Sequence, residues 1–346
     1  MKFKTLGKTD LKVSLICLGT MTWGQQNTQE QAFEQMDYAV DQNINFFDTA
    51  ELYAVPPKQE TYSSTETMIG NWFAERKNRE KIILATKVAG PGLPWIREGG
   101  MQFSEESMTQ ALEGSLKRLQ TDYIDLYQLH WPERTTNFFS KLGYKHNEQE
   151  AAWNSFQSIL ETAKKFIQQG KIRYLGLSNE TPFGLSQYLH LSESQDLPRV
   201  VSVQNPYSLV NRTYEVGLAE MSIRQQAGLL AYSPLGFGML SGKYLNGQMP
   251  EGSRLKLFGD HFPRYQGTRT QKAVEEYYKV AQKHGLSLAQ MSLAFVNAQP
   301  FVTSNIIGAT TMEQLKENIE SINIDLSADV IEDINAVHEN NPSPAP

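Results

Sequence analysis

Four side chains that can donate or accept protons lie at the ends of short apolar segments of the sequence. Asp48 ends the first of these segments, Lys87 lies at the end of the second and His130 at the end of the third, while Tyr53 follows shortly after the first. A phenol with a pKa of about 10 is a weak acid at neutral pH. A neighbouring ammonium lowers that pKa because it favours the phenolate. Lys87 beside Tyr53 would therefore make the Tyr53 phenol a better proton donor.

The apolar segments that precede these residues have the composition of buried β-strands. Ile44, Phe46 and Phe47 are β-branched or aromatic, as strand residues commonly are. The carboxyl ends of parallel strands share one face of a barrel, so three such strands would bring their terminal side chains together. Taken alone, Asp48 has the alternative role of capping the next turn, and a lone histidine such as His130 is more often a satisfied core residue. The combination of Asp48, Lys87 and His130 at neighbouring strand ends favours a catalytic role.

Strand and helix patterns alternate along the whole chain. Strands are predicted at 15–19, around Ile44, Ile82 and Ile124, and at 172–178, 200–204, 228–233 and 303–307. Helices are predicted at 29–41, 65–75, 105–119, 151–169, 182–194, 214–226, 273–284, 289–297, 312–320 and 328–338. Eight strands with right-handed helical crossovers close as a (β/α)8 TIM barrel. We expect one domain over 1–346, with a hairpin over 1–14 that plugs the barrel's bottom, a loop insertion over 132–149 and an irregular tail over 340–346.

Composition narrows the classes of partner. The 346 residues carry 38 acidic and 32 basic side chains, a net charge of −6, scattered along the chain, which argues against nucleic acid. No apolar run approaches a membrane span and the N-terminus lacks a signal peptide's apolar core, so a cytoplasmic protein without a membrane partner is expected. The single Cys17 is expected to be a small buried hydrophobe. The six histidines form no close pair, so no metal site is predicted.

A glycine-rich loop offers a candidate phosphate site. Gly236–Gly242 looks like a dinucleotide-binding motif but has serine where the third glycine should stand. It follows the seventh predicted strand, whereas the Rossmann motif opens the first helix of a βαβ unit, so we reject the Rossmann interpretation. Loops after strands seven and eight of a barrel commonly bind phosphate. Neither a Gly-x-Ser-x-Gly elbow nor a Walker loop is present, which disfavours a serine hydrolase or nucleotide hydrolase.

Several motifs in a shared order carry a resemblance to a known family. They are Gly19–Thr22 in part, Leu116–Leu119 with Asp122–Leu126, Gly170–Asn179, Gln204–Tyr207, Tyr232–Gly236 through Gly242–Tyr244, and Ile307–Thr311. Over nearly its full length the chain resembles the aldo-keto reductase superfamily, and within it the bacterial branch of the Tas type. The resemblance implies a catalytic tetrad of Asp48, Tyr53, Lys87 and His130. Tyr53 is then the general acid, His130 orients the carbonyl oxygen of the substrate, and Asp48 holds Lys87.

The resemblance also implies a set of residues that bind a nicotinamide dinucleotide. Pro234–Tyr244 would embrace the pyrophosphate, Ser178, Asn179 and Gln204 would bind the nicotinamide carboxamide, and Tyr232 would stack on its ring. The full set is Gly19, Thr20, Met21, Asp48, Ser178, Asn179, Gln204, Tyr232, Ser233, Pro234, Leu235, Gly236, Gly238, Leu240, Gly242, Lys243, Gly308, Thr310, Gln314, Glu317 and Asn318. For each, the alternative is ordinary polarity at the end of a strand or on a solvated helix.

The expected cofactor is NADP(H). Gly308, Ala309 and Gln314 stand where many family members place lysine, serine and arginine around the 2′-phosphate. Related bacterial and channel-subunit branches with similar uncharged loops nevertheless use NADPH, so the resemblance implies NADP(H).

The expected substrate is a small-molecule carbonyl compound. Trp23, Tyr53, His130 and Trp131 are predicted to contact it, and the segment 132–149 is predicted to act as a partial lid. Apolar walls suit aromatic or medium aliphatic aldehydes better than charged sugars. A surface cover that packs its own aromatic side chains is the alternative role of that segment.

Three functions remain in competition. The first is an NADPH-dependent carbonyl reductase. The second is a binding or regulatory protein that retains the cofactor, as potassium-channel β subunits do, with little turnover. The third is a barrel enzyme without redox chemistry, which would require the four tetrad residues to coincide by chance. The resemblance leaves open whether the chain works alone or as a homo-oligomer.

Overall fold

A short hairpin precedes the main body of the protein. Strands β1 (Phe3–Thr5) and β2 (Lys12–Ser14) pair in antiparallel fashion. Lys4 Nζ donates to the carbonyl of Val302, 2.6 Å away at the start of a later strand. Gly7, in the turn, has a φ of +54°, and a side chain there would bring Cβ within 2.4 Å of the Val201 carbonyl oxygen. The hairpin thus lies against the end of the molecule where the barrel strands begin.

Eight parallel strands close into a barrel in the computed structural model, which describes residues 1–346. They are β3 (Ile16–Gly19), β4 (Phe46–Asp48), β5 (Ile83–Val88), β6 (Ile124–Leu129), β7 (Ile172–Ser178), β8 (Val200–Pro206), β9 (Gly228–Tyr232) and β10 (Val302–Ile307). Each pairs with the next along the chain, and β10 pairs with both β3 and β9. The predicted (β/α)8 TIM barrel is confirmed.

Eleven helices surround the barrel or extend from it. They are α1 (Gln29–Asp41), α2 (Ser64–Arg76), α3 (Glu105–Leu119), α4 (Phe156–Gln168), α5 (Pro182–Ser194), α6 (Leu218–Gln225), α7 (Arg254–Phe258), α8 (Thr268–Lys283), α9 (Leu288–Asn297), α10 (Met312–Glu320) and α11 (Ala328–Asn340). Serine or threonine side chains cap seven of them: α1, α3, α4, α5, α9, α10 and α11. None has the length and apolar character that a membrane span requires.

Several predicted boundaries were wrong, and local chemistry explains two of them. Helix α4 begins at Phe156 rather than Ala151, because Ser155 stays extended and accepts a hydrogen bond from the backbone of Ser158. The predicted helix 214–226 is divided, since Gly217 has non-helical dihedrals between a single 3₁₀ turn and α6. Helix α8 begins five residues before the predicted Ala273, at Thr268. Helix α7 was not predicted.

The alternation of side chains along the strands creates two separate apolar cores. In β4, Phe46 points into the barrel while Phe47 packs with the large outer core beneath the helices. The barrel interior is filled by Leu6, Leu11, Val13, Cys17, Phe46, Ala85, Leu126, Val201, Leu230 and Ile306. Three of these come from the hairpin region, which therefore plugs the barrel from below. Cys17 is fully buried and acts there as a small hydrophobe.

We predict that Leu6→Ala lowers the free energy of unfolding by about 2–5 kcal/mol, because Leu6 is fully buried and its truncation leaves a cavity. Val216→Ala is the control. Val216 is 91% exposed, so its truncation should change stability by less than about 0.5 kcal/mol. Urea denaturation measures both, and a loss below about 0.5 kcal/mol for Leu6→Ala would contradict a plug that stabilises the barrel.

Candidate active site

A buried ion pair lies at the upper end of the barrel interior. Asp48 is the last residue of β4, and the parallel register places it opposite Ala85, two residues before Lys87 on β5. Lys87 Nζ lies 2.6 Å from Asp48 Oδ1, and the two side chains are 0% and 2% exposed. The same ammonium donates to the Thr49 carbonyl at 2.7 Å. Two adjacent strand ends therefore deliver opposite charges to one point, as the sequence predicted.

The second oxygen of the Asp48 carboxylate is also fully engaged. Gln204 Nε2, from β8, donates to Oδ2 at 2.8 Å, and Gln128 Nε2, from β6, donates at 3.2 Å. Four barrel strands thus contribute to one buried carboxylate. Such complete bonding is what a buried ion pair needs to offset the desolvation of its charges.

Tyr53 places its phenol beside the ammonium. Tyr53 Oη lies 3.4 Å from Lys87 Nζ, and its ring meets the ring of His130 edge-on at a centroid distance of 5.8 Å. The structure thus brings together all four side chains of the predicted tetrad. A carbonyl oxygen between Tyr53 and His130 would have both a phenol and an imidazole beside it.

The pKa of Tyr53 differs from the expected direction. Burial raises the pKa of the phenol, and this effect outweighs the lowering by the Lys87 ammonium, so the pKa lies above 10. Lys87 lowers this pKa as expected, but the expectation did not include burial, which raises the pKa by more. Tyr53 is thus protonated at neutral pH and able to donate.

Lys87 is positively charged at pH 7, whereas His130 is neutral. Burial lowers the pKa of the Lys87 ammonium, but Asp48 and Tyr53 together outweigh that effect, and Lys87 stays charged. Burial, helped by the charge of Lys87, holds the pKa of His130 well below 6.5. His130 is therefore a neutral imidazole at pH 7. Its buried Nδ1 has no hydrogen-bond partner, while Asn179 donates to its backbone carbonyl at 2.8 Å.

A cavity of about 1300 Å³ opens above the tetrad. Most of the residues predicted from the sequence line it: Gly19, Thr20, Met21, Asp48, Tyr53, His130, Trp131, Ser178, Asn179, Gln204, Tyr232, Ser233, Pro234, Leu235, Gly238, Lys243, Gly308, Thr310, Gln314, Glu317 and Asn318. This volume exceeds that of ordinary small-ligand pockets, which hold about 300–1,000 Å³. The cavity has room for a dinucleotide and a second small molecule.

Trp23 does not line this cavity, contrary to the prediction. Its side chain is fully buried in the outer core. The indole Nε1 donates to Gln35 Oε1 at 3.2 Å, and the Trp23 carbonyl accepts a hydrogen bond from Thr65. Because Trp23 follows the end of β3 in sequence, its position suggested a wall residue. Packing against α1 and α2 instead takes its ring away from the site.

Part of the loop after β9 does not reach the cavity. Gly236, Leu240 and Gly242 were predicted as cofactor residues but do not line the cavity, and Leu240 is fully buried in the core. Gly238 and Gly242 have φ values of +94° and +81°, which favour glycine. The tight turns of this loop depend on these two residues.

Lys243 and Arg254 are cations of the cavity wall without an acidic partner, whereas a third, Arg264, donates to the Pro346 carbonyl at 3.1 Å. Lys243 and Arg254 make no salt bridge, and the Arg254 guanidinium lies 4.6 Å from the centre of the Phe237 ring. Burial lowers the pKa of Lys243, and the nearby charge of Arg254 lowers it further. Unpaired, partly buried cations indicate a site for an anion. The sequence analysis missed Arg254, because its loop shows no spacing that distinguishes it from surface arginines.

The polar residues at the ends of β7 and β9 are linked to one another. Ser178 Oγ donates to the Gln204 carbonyl at 2.9 Å, and Tyr232 Oη donates to Asn179 Oδ1 at 2.6 Å. Asn179 has a φ of +53°, which asparagine tolerates better than most residues. This network fixes the side of the cavity that faces His130.

Comparison with known sequences agrees with this geometry. The model of the Aldo/keto reductase family matches residues 15–339. The chain belongs to the aldo/keto reductase family. It is 52% identical to the protein tas of Escherichia coli (strain K12), with both chains covered completely. It is also 34% identical to the uncharacterized oxidoreductase YrpG of Bacillus subtilis (strain 168), over 97% of this chain and 96% of that protein. An aldo-keto reductase of Babesia bovis is 38% identical over 69% of this chain and 88% of its own length.

Family membership gives the general activity. The chain is an NAD(P)H-dependent oxidoreductase. The resemblance stated from the sequence motifs is therefore confirmed.

We predict that the His130 imidazole does not titrate between about pH 5.5 and 8, because its pKa lies well below the ordinary value of 6.5. Lys87→Met should raise this pKa, since the neighbouring positive charge is removed. Proton–carbon NMR of labelled histidines measures both, with His130→Gln as the assignment control. A His130 resonance that titrates near pH 6.5 in the wild-type protein would contradict the buried, neutral state.

Proposed function

We propose that this protein is an NADPH-dependent carbonyl reductase that converts aldehydes or ketones to alcohols by hydride transfer, with Tyr53 as the general acid. One observation carries the proposal. The phenol of Tyr53 lies 3.4 Å from a buried ammonium at the base of a cavity of about 1300 Å³. A proton donor in that place serves a reaction in which negative charge develops on a substrate oxygen.

Each side chain of the tetrad has a separate role in the proposed reaction. A bound NADPH would supply the hydride. Tyr53 donates a proton to the carbonyl oxygen, and the ammonium of Lys87 stabilises the phenolate that forms. Neutral His130 orients the same oxygen by a hydrogen bond. Asp48 keeps Lys87 charged and in place at 2.6 Å.

The unpaired cations support NADP(H) over NAD(H). Lys243 and Arg254 line the cavity without a carboxylate partner. A 2′-phosphate would provide the missing negative charge, and arginine binds phosphate through two parallel hydrogen bonds. Gly308, Thr310 and Gln314, which line the cavity after β10, are uncharged, so the charge for this phosphate would come from the loop after β9.

The remaining cofactor contacts are proposed from the place of each residue in the cavity wall. We propose that Ser178, Asn179 and Gln204 bind the nicotinamide carboxamide and that Tyr232 stacks on the ring. The backbone between Pro234 and Tyr244 would then hold the pyrophosphate. Glu317 and Asn318, at the far end of the same cavity, would contact the adenine.

The substrate end of the cavity is apolar. Leu93, Trp131, Phe138 and Phe139 line it, and the rings of Trp131 and Phe139 lie 5.9 Å apart. Such a wall offers area-dependent affinity to an aromatic or medium aliphatic aldehyde and few partners to sugar hydroxyls. We propose such aldehydes as substrates and the segment 132–149 as a partial lid. We also propose that the protein acts in the cytoplasm, since its only cysteine is free and buried and the fold needs no oxidising compartment.

We predict that Tyr53→Phe lowers the rate of aldehyde reduction by at least about 100-fold while the NADPH dissociation constant stays constant, because only the proton donor is lost. Tyr174→Phe is the matched control, since the Tyr174 hydroxyl donates to Asp10, outside the cavity. Turnover is followed by the loss of NADPH absorbance. Near-normal turnover in Tyr53→Phe would refute the role.

We predict that Arg254→Met weakens NADPH binding by about 10-fold to 100-fold, the equivalent of one charged hydrogen-bonding group, and leaves NADH binding within about twofold. Arg224→Met is the control, because Arg224 pairs with Glu220 on the exposed face of α6. Fluorescence titration measures both constants. Equal weakening of NADPH and NADH would show that Arg254 does not bind the 2′-phosphate.

Purified protein separates the three competing functions. Absorbance and mass spectrometry detect a retained dinucleotide, and NADPH loss with a panel of aldehydes detects turnover. Retention without turnover would favour the regulatory function that channel β subunits represent. If the protein shows no retained dinucleotide and no turnover, the result would favour a barrel enzyme without redox chemistry.

A further inference from the structure

The chain leaves the barrel mouth after β6 in a long irregular segment, residues 131–155, which we call the substrate segment. Its first residues carry aromatic side chains of the cavity wall: Trp131, Phe138 and Phe139. Residues 140–152 are exposed throughout. The position of the aromatic wall therefore depends on contacts at the base of the segment, next to the barrel.

One buried ion pair anchors that base to the barrel. Arg134 and Glu180 are 8% and 5% exposed, and the two groups form a double hydrogen bond, with Nη1 to Oε2 at 3.1 Å and Nη2 to Oε1. Arg134 Nη2 also reaches Thr181 Oγ1 at 3.2 Å. The guanidinium also lies near the rings of Phe156 and Phe183, at 5.3 and 5.7 Å from their centres.

The acidic partner belongs to the strand end that faces the tetrad. Glu180 directly follows Asn179, which donates to the backbone carbonyl of His130. The backbone of Glu180 is fixed by Asn205, which accepts from its N–H at 3.0 Å and donates to its carbonyl at 2.8 Å. Arg134 thus ties the substrate segment to a rigid part of the barrel, one residue from the proposed nicotinamide ligand.

Helix α5 leaves space for this pair. A side chain at Gly184 would bring Cβ within 2.3 Å of the Glu180 carboxylate and within 2.6 Å of Arg134 Nη2. Both distances are shorter than real Cβ contacts. Gly184 therefore permits the pair, and an alanine in its place would force the two groups apart without removing either charge.

We infer that Arg134 and Glu180 are positioning residues that hold the aromatic wall of the substrate segment at a fixed place relative to Tyr53 and His130. This inference rests on the proposed carbonyl reductase function. A buried double hydrogen bond between two elements fixes both distance and orientation. The free tip of the segment cannot supply that constraint, because residues 140–150 are exposed.

The test compares Arg134→Met, Glu180→Gln and the double variant. For benzaldehyde, whose ring needs the aromatic wall, KM should rise about 10-fold. For propanal, kcat should stay within about twofold, and so should the NADPH dissociation constant. The double variant should be no worse than the worse single variant, because the two residues act as one unit. Hydrogen exchange of residues 135–150 should become faster in all three variants.

Two further variants keep the inference falsifiable if the folding of the first set is weakened. Gly184→Ala retains both charges and should reproduce the KM rise and the faster exchange. Arg79→Met breaks another buried pair, with Asp125 at 2.8 Å near the start of β6, and should leave the benzaldehyde KM and the exchange of 135–150 unchanged.

Any one of three results would overturn the inference. They are an unchanged benzaldehyde KM in both Arg134→Met and Gly184→Ala, an equal KM rise in Arg79→Met, or unaltered exchange of residues 135–150. If the wild-type protein reduces no aldehyde, the proposed function fails separately. The exchange comparison then decides alone whether the pair positions the segment.

Discussion

The ion pair between Lys87 and Asp48 is the interaction on which the site depends. Each charge would cost several kcal/mol if it were buried without partners. The structure offsets this cost because Thr49, Gln128 and Gln204 bond the groups that the pair leaves free. Gln128 and Gln204 come from β6 and β8, so the full bonding of the pair needs these strands in their native places in the barrel. In the proposed reaction, the ammonium that it stabilises is the charge that Tyr53 needs when it gives up its proton.

The cavity above this pair divides into two chemically distinct parts. The loop after β9 presents unpaired cations, Lys243 and Arg254, which suit a phosphate. The substrate segment lines the other part with Trp131, Phe138, Phe139 and Ser140, none of which is charged, and such a wall suits an apolar carbonyl compound. The tetrad lies between the two parts. In the proposed reaction, charge at one end and apolar surface at the other would select two different ligands and bring them together at Tyr53.

Much of this could be predicted from the sequence, because the relevant signals are local. The alternation of strand and helix patterns indicated the barrel, polar residues at strand ends indicated the tetrad, and the family resemblance indicated most of the cavity lining. What failed depends on tertiary packing. The sequence does not show that Trp23 turns into the outer core, or that burial outweighs the ammonium in setting the pKa of Tyr53. Arg254 and the Arg134–Glu180 pair were missed because their roles depend on contacts with residues far away in the sequence.

The most direct test of the account follows the hydride itself. Purified protein is mixed with an aromatic aldehyde and NADPH that carries deuterium at both C4 positions, and the product is analysed by mass spectrometry. We predict an alcohol with one deuterium on the former carbonyl carbon, formed in step with NADPH loss. An alcohol without deuterium, or no NADPH-dependent product from any aldehyde or ketone tested, would contradict the claim that this site reduces carbonyl groups by hydride transfer.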